Sequence, residues 1–312
     1  MNPSAPSPVP STSSPAAPRL TARDFDQELI DLYDYYVHGQ INRRTFLDRA
    51  AKFAVGGLTA AALLELLSPS YALAAQVPED DARVTSDYVK FPSPDGFGEG
   101  RGLLARPAGA VEKRAAVLVA HENRGLNPYI EDVTRRLALA GFTAFAPDAL
   151  YSVGGYPGND DEGRALQQKL DRNKIVEDFV AAGRFLQAHP ESKGAIGVVG
   201  FCFGGGIANT LAWRLPDLVR AAVPYYGGQP PAEEVPKIKG ALLIHYAALD
   251  ERVNAGWPAY EKALKAAGVS YEVYIYPGVN HGFHNDTTPR YDAAAANLSW
   301  ERTLAFFHQQ LS

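Results

Sequence analysis

The chain has one cysteine, Cys202, in 312 residues. An internal disulfide is therefore excluded. A cysteine-rich zinc site is excluded too, because it needs several thiolates. Dithiol redox chemistry is argued against in the same way, since no second thiol can resolve a mixed disulfide. Positive charge is not in excess: 30 Lys and Arg stand against 35 Asp and Glu, a formal net charge of −5. With no basic stripe and no interleaved aromatics, nucleic acid is not an expected partner. There is no internal repeat of the solenoid kind. Long hydrophobic runs are also missing. The most apolar stretch, Ala50 to Leu67, is short and contains Glu65, which argues against a stable membrane span. The remaining composition, 46% apolar and 21% charged, is that of a globular protein. The length suits one large or two ordinary domains.

The N-terminal part reads as separate from the rest. Residues Met1 to Pro18 are mostly Pro, Ser and Ala with almost no charge, a composition that cannot bury a core. A disordered region is expected over 1–21. A helical segment is expected over 22–76, beginning with the apolar and aromatic pattern Phe25, Leu29, Ile30, Leu32, Tyr33 and Tyr36. Within it, Arg43-Arg44 precede Phe46 and Leu47. A weak apolar stretch follows, and then the small-residue site Tyr71-Ala72-Leu73-Ala74-Ala75. This order resembles a twin-arginine export signal, which implies the export machinery as a partner and a periplasmic location. The stretch before the arginines is long for such a signal, and Asp48 stands where Lys is common. The alternative is a cytoplasmic protein in which an amphipathic helical pair packs on the domain that follows.

From residue 77 to 312 the pattern is strands alternating with helices. It predicts an α/β fold, a mostly parallel sheet with helices on both faces. Val84 to Phe91 and Gly98 to Arg106 read as an antiparallel pair. Ala115 to Ala120 is a continuous apolar run, as for a strand buried on both faces. Further strands are expected at Phe142 to Ala146, Ala195 to Val199, Ala221 to Tyr225, Gly240 to Tyr246 and Tyr271 to Tyr276. Helices are expected over Ile130 to Ala140, Glu162 to His189, Ile207 to Leu215, Ala255 to Ala267 and Tyr291 to Gln309.

Ligands of such sheets bind at the carboxyl ends of the strands. His121-Glu122-Asn123-Arg124-Gly125 fall there, as do Cys202, Asp250 and His281. Cys202 lies in Gly200-Phe201-Cys202-Phe203-Gly204 between an apolar run and a helix, the setting of a nucleophile elbow with Cys in place of Ser. Gly200 and Gly204 would keep Cβ atoms out of that turn. The order nucleophile, acid, histidine is that of an α/β-hydrolase triad. In that reading Cys202 attacks as a thiolate, His281 moves protons near neutral pH, and Asp250 fixes the imidazole tautomer. The backbone N–H groups of Phe203 and Asn123 would receive the oxyanion.

Other residues compete for these roles. Asp148 also ends a strand, but Pro147-Asp148 suits a turn. His284 lies three residues beyond His281, yet no third metal ligand has convincing spacing, so no metal is expected. His121 could line the pocket or bond to backbone groups at its strand end. Glu122 could be an exposed acid paired with Arg124, or a gate that hydrogen-bonds the neutral thiol and takes its proton when substrate arrives. Tyr151, Tyr226 and Trp257 suggest an aromatic-lined pocket, with ordinary packing as the alternative.

The motifs His121-Glu122-Asn123-Arg124-Gly125-Leu126-Asn127, Ala146-Pro147-Asp148, Gly200-Phe201-Cys202-Phe203-Gly204-Gly205, Tyr225-Tyr226-Gly227, Leu249-Asp250 and Tyr276-Pro277-Gly278 with His281-Gly282-Phe283 resemble those of the dienelactone hydrolase (carboxymethylenebutenolidase) family. The likeness extends from about Tyr88 to Leu311. The N-terminal extension resembles that of one bacterial subgroup. The resemblance implies the Cys202–Asp250–His281 triad with Glu122 as its gate. It also implies opening of an enol-lactone through an acyl-enzyme that water then cleaves, with no metal or organic cofactor. The chain departs from the family in its carboxylate-holding arginines. Asp148 to Val153 contains none, and Asn285 stands four residues after His281. Arg124 and Arg290 are the candidate replacements. A small-molecule lactone or ester is thus the expected substrate. A general carboxylesterase and a non-catalytic binding protein on the same scaffold are the alternatives.

Overall fold

The computed structural model describes residues 19–71, 75–109 and 111–312. The disorder expected for residues 1–18 lies outside these, as do Ala72, Leu73 and Ala74 of the expected cleavage site. Residues 19–21 do not share that expectation. The Arg19 guanidinium donates to the Asp286 carbonyl, and the Asp24 carboxylate accepts from the Thr21 N–H at 2.7 Å.

Eight strands form one sheet: β1 (Val84–Ser93), β2 (Gly98–Pro107), β3 (Arg114–Ala120), β4 (Thr143–Pro147), β5 (Ser192–Phe201), β6 (Val219–Tyr225), β7 (Ala241–Ala247) and β8 (Tyr271–Tyr276), in the order β1-β2-β4-β3-β5-β6-β7-β8. β1–β2 and β2–β4 are antiparallel and every other pair is parallel. Alternation along β3 explains the layers. Ala116, Leu118 and Ala120 belong to one core, with Phe179, Leu211 and Leu264. Val117 and Val119 belong to the other, with Ile130, Val133 and Phe307. The first core is covered by α6 (Arg172–Ala188), α7 (Phe203–Arg214) and α9 (Trp257–Ala267). The second is covered by α4 (Pro128–Leu139) and α10 (Ala293–Leu311). A strand apolar on both sides must be covered on both faces, which is why these segments read as continuous apolar runs.

Register brings the functional ends together. Ala120 pairs with Gly200, Phe201 with Tyr225, Tyr225 with His245, and Ala247 with Tyr276. The segments after β3, β5, β6, β7 and β8 therefore share one rim.

One helical expectation fails. Glu162 to His189 is two helices, α5 (Asp160–Lys169) and α6. Leu170 turns to extended backbone, and the Asp171 carboxylate accepts from the N–H groups of Asn173 and Lys174. Asp is a strong N-cap because its short side chain satisfies donors that the first turn leaves free.

The N-terminal segment folds as α1 (Gln27–Val37), α2 (Arg43–Ala50) and α3 (Ala60–Leu67), capped by Asp26, Asn42 and Thr59. It has its own core of Leu29, Ile30, Tyr33, Phe46, Leu63 and Leu67. This is a small cap seated on the rim of the sheet. Gln27 donates to Asn280 Oδ1 at 2.6 Å, Asn123 Nδ2 donates to the Val37 carbonyl at 2.7 Å, and Tyr71 donates to Asp160 at 2.6 Å. Arg43 and Arg44 open α2, and Phe46 is fully buried. Among the described residues no helix is long and apolar enough to cross a membrane.

Candidate active site

Cys202 stands between β5 and α7 with φ 57° and ψ −114°. An L-residue rarely adopts such a conformation, which costs roughly 1–3 kcal/mol and persists only where the surroundings enforce it. The enforcement is close packing. A Cβ on Gly200 would lie 1.9 Å from the Gly204 carbonyl oxygen, and one on Gly204 would lie 2.0 Å from that of Ala120. The Cys202 N–H is held by the Tyr225 carbonyl at 3.1 Å. Phe203 is the first residue of α7, so its N–H has no intrahelical acceptor.

Asp250 follows β7 and His281 follows β8. Nδ1 of His281 donates to Oδ2 of Asp250 at 2.6 Å. The other carboxylate oxygen, Oδ1, accepts the Val253 N–H at 3.2 Å as the N-cap of α8 (Glu251–Asn254). Both oxygens are therefore committed and the carboxylate cannot rotate. Nε2 of His281 is buried and makes no hydrogen bond among the described residues, and a ring nitrogen of His281 lies within 4.8 Å of the Cys202 sulfur. The geometry thus brings together the three residues singled out by chain order.

The local charges favour ionised forms. Burial raises the Cys202 pKa, but the His38 and His281 imidazoles outweigh it and hold the thiol well below its ordinary value. Burial lowers the His281 pKa, but Asp250, Asp34 and the sulfur outweigh it and push it up to about 10. Burial opposes ionisation of Asp250, which His281 more than offsets, so that carboxyl is held below its usual range.

Glu122 is paired with Arg124, as one of the two readings had it, but not exposed. Its Oε2 is 3.9 Å from Arg124 Nε, and it accepts from Asn285 Nδ2 at 3.0 Å. No hydrogen bond joins it to the thiol among the described residues. Burial raises its pKa. His121 takes the backbone option: Nδ1 donates to the Glu122 carbonyl at 2.6 Å and Nε2 accepts the Ala149 N–H at 3.1 Å. Asp148 accepts the Leu150 N–H at 3.0 Å, as a turn residue does. His284 is a core residue whose Nδ1 meets the Tyr129 hydroxyl at 2.7 Å.

A cavity of about 570 Å³ opens onto Cys202, with Asn123, Phe203, Tyr226 and His281 in its wall. Tyr226 belongs there as expected: its ring lies 4.8 Å from that of His281 and its buried hydroxyl has no partner among the described residues. Three expected binding residues do not line this cavity. Tyr151 is part-exposed and donates to Glu99 of β2 at 3.0 Å. Trp257 packs among Tyr246, Tyr260 and Tyr271. Arg124 is buried against Asp160 at 2.7 Å. Arg290 is likewise committed, to Asp34 at 3.2 Å.

The cavity wall also holds residues that the sequence reading missed: His38, Arg164, Arg172 and Arg252. Nε2 of His38 lies 3.2 Å from the Cys202 sulfur. The only sequence signal for it is Asp34 and His38 at i, i+4 at the end of an amphipathic helix, which does not say what the pair faces. The donor atoms of His38, Cys202 and His281 lie within 4.8 Å of one another. A metal cation does not fit among them, because Arg252 Nη2 lies 3.1 Å from His38 Nε2 and 3.3 Å from His281 Nδ1.

Sheet order, helix layers and the rim of loops are those of an α/β hydrolase. The chain belongs to the dienelactone hydrolase family: residues 101–311 match the "Dienelactone hydrolase family". Residues 17–52, in the cap, match "YqhI-like". The chain is 60% identical over 114 residues to "Putative hydrolase fragment YghX" of Escherichia coli, covering 36% of this chain and 97% of that one. It is 33% identical over 229 residues to "Putative carboxymethylenebutenolidase" of Synechocystis, covering 67% and 92%. The crystal structure of "Putative Dienelactone Hydrolase" from Klebsiella pneumoniae superposes with a TM-score of 0.64 at 25% identity, covering 72% of this chain and 99% of that one. The protein is a hydrolase enzyme of this family.

Proposed function

We propose that the protein opens lactones or cleaves related carboxylic esters through an acyl-enzyme on Cys202. The observation that carries this reading is the His281–Asp250 hydrogen bond of 2.6 Å beside a cysteine held at φ 57° over a cavity. The Cys202 thiolate adds to the acyl carbon, and the charge that develops on oxygen is received by the N–H groups of Phe203 and Asn123. The C–O bond breaks, and the leaving oxygen takes a proton from Nε2 of His281. A water then gives a proton to the same nitrogen and adds to the thioester, which releases the acid and the thiolate.

An enol-lactone suits the site because an enolate leaves readily and because the chemistry needs no metal. The decisive experiment is turnover of a panel of cyclic and acyclic esters, carboxylated and neutral, by wild type and Cys202→Ala. A loss of ~10²-fold or more in the variant supports the reading. Equal rates overturn it.

A further inference from the structure

The cap brings to the nucleophile a second imidazole with its own carboxylate. His38, at the C-terminal end of α1, has Nε2 at 3.2 Å from the Cys202 sulfur. Its Nδ1 lies 2.8 Å from the Asp34 carbonyl and 3.2 Å from Asp34 Oδ1. Asp34 is held in turn by Arg252 at 3.3 Å and Arg290 at 3.2 Å. The His38 and His281 rings meet edge to face at 4.6 Å. Cys202 is therefore flanked by two imidazoles, one backed by Asp250 from the sheet rim and one by Asp34 from the cap.

We propose that His38 is a catalytic residue, the standing counter-ion of the Cys202 thiolate, that Asp34 positions it, and that the cap is thereby part of the active site. The proposal rests on the reading of Cys202 as the nucleophile. It divides the labour of two similar groups. His38 keeps its proton throughout and donates Nε2–H to the sulfur. His281 alone gives a proton to the leaving oxygen and takes one from water. The proton count closes, because His281 ends each cycle as it began and His38 never changes.

Every neighbour of His38 bears on this assignment. On α1, Asp34 stabilises an imidazolium, and the negative end of the helix adds to it. At the elbow the sulfur does the same once ionised. Opposed are His281, when protonated, and Arg252 on α8, whose Nη2 approaches Nε2 at 3.1 Å. Arg252 has a second acceptor in Asp34 Oδ2, and Arg290 reaches His38 only through Asp34. Asp250 acts through His281, and the Glu122 charge acts on the sulfur from the loop after β3. The balance raises the His38 pKa: burial works against the charge, and Cys202 and Asp34 outweigh burial.

The proposal differs from a substrate-triggered gate. With His38 in place the sulfur is ionised before substrate arrives, and Glu122 is free to bond Asn285, as it does.

Because Cys202 is the only cysteine, alkylation of the whole protein by iodoacetamide reports this one sulfur. The rate is measured against pH by intact mass, for full-length wild type, His38→Gln and Asp34→Asn, with helicity and melting checked for each. The wild-type midpoint is expected below the ~8.5 of an ordinary thiol. In His38→Gln it should rise by about one pH unit, a tenfold slower reaction on the acid side, with kcat/KM on a turned-over ester falling in parallel and KM little changed. Asp34→Asn should move in the same direction by less. A folded His38→Gln with the wild-type midpoint overturns the proposal. So does faster alkylation at every pH with an unmoved midpoint, which would mean that His38 merely shields the thiol. If His38→Gln does not fold, Asp34→Asn decides by the same criterion. Cys202→Ala separates the two readings: full activity there removes the nucleophile itself, whereas lost activity there with an unmoved His38→Gln midpoint removes only this role for His38.

Discussion

Asn285 Nδ2 donates to Oε2 of Glu122 at 3.0 Å, joining the loop that carries His281 to the loop that carries Asn123. The same Asn285 also accepts from the Thr287 N–H at 3.0 Å through its side-chain oxygen, which fixes the amide orientation. The expected consequence is that this pair holds the two sides of the site at a fixed separation. Asn285→Ala leaves a buried acid without that bond and should destabilise the protein by about 1–3 kcal/mol in urea titration. Glu122→Gln keeps an oxygen for Asn285. It removes a negative charge that acts on the sulfur, so the alkylation midpoint of Cys202 should move down, whereas loss of a gating base that takes the thiol proton would move it up.

Asp250 separates orientation from stability. Asparagine retains an oxygen to cap α8 but cannot hold His281 in the same tautomer. Asp250→Asn should lower kcat by ~10³-fold or more and lower the melting temperature only through the lost charge pairing with His281, the cap being kept. Asp250→Ala should lose the same activity and also about 0.5–2 kcal/mol of stability with the cap. Equal activity of Asp250→Asn and wild type would remove Asp250 from the mechanism.

The pH dependence follows from the direction of each shift. His281 is raised on folding to about 10 from 6.5. Its contribution to stability is complete below about pH 6.5 and is lost as pH rises through about 10. Cys202 and Asp250 are lowered, so their contributions are present above their unfolded values and are lost as pH falls through the folded ones. Thermal melts should weaken on the alkaline side in wild type and weaken less in His281→Gln. The alkaline limb of kcat/KM should fall near pH 10.

Arg172 tests the nature of the substrate. Arg164 is paired with Asp161 at 2.8 Å and Arg252 with Asp34 at 3.3 Å. Arg172 lines the same cavity, is exposed, and has no ion-pair partner among the described residues. If a substrate carboxylate enters here, Arg172→Gln should raise KM for carboxylated esters by about tenfold, the equivalent of ~1.4 kcal/mol and close to the lower end for a charge-assisted bond, and leave neutral esters unchanged. Equal effects on both classes would assign Arg172 to the fold instead.

The centre of the sheet was legible because its strands there are apolar on both faces, as Ala115 to Ala120 are. The rim followed from the sheet, since strand ends locate Cys202, Asp250 and His281 without any knowledge of side-chain contacts. The long helix failed at Leu170–Asp171 because a single cap residue outweighed an otherwise continuous helical pattern. Trp257 and Tyr151 misled because an aromatic near a strand end packs as readily as it lines a pocket. Arg124 was plausible by position, but Asp160, the first residue of α5 and 36 residues away in the chain, had already claimed it. His38 was out of reach for the same reason. It lies 164 residues from Cys202 in the chain, and periodicity shows that a helix is amphipathic but not which surface it meets.

Phe46 supports more than the core it fills. Its ring is sealed beside Tyr33 and Tyr36, on the helix that ends at His38. The side chain that closes the small core of the cap therefore also steadies the end of α1 that meets Cys202, so that a loss of packing far from the sulfur would be felt there as a loss of placement.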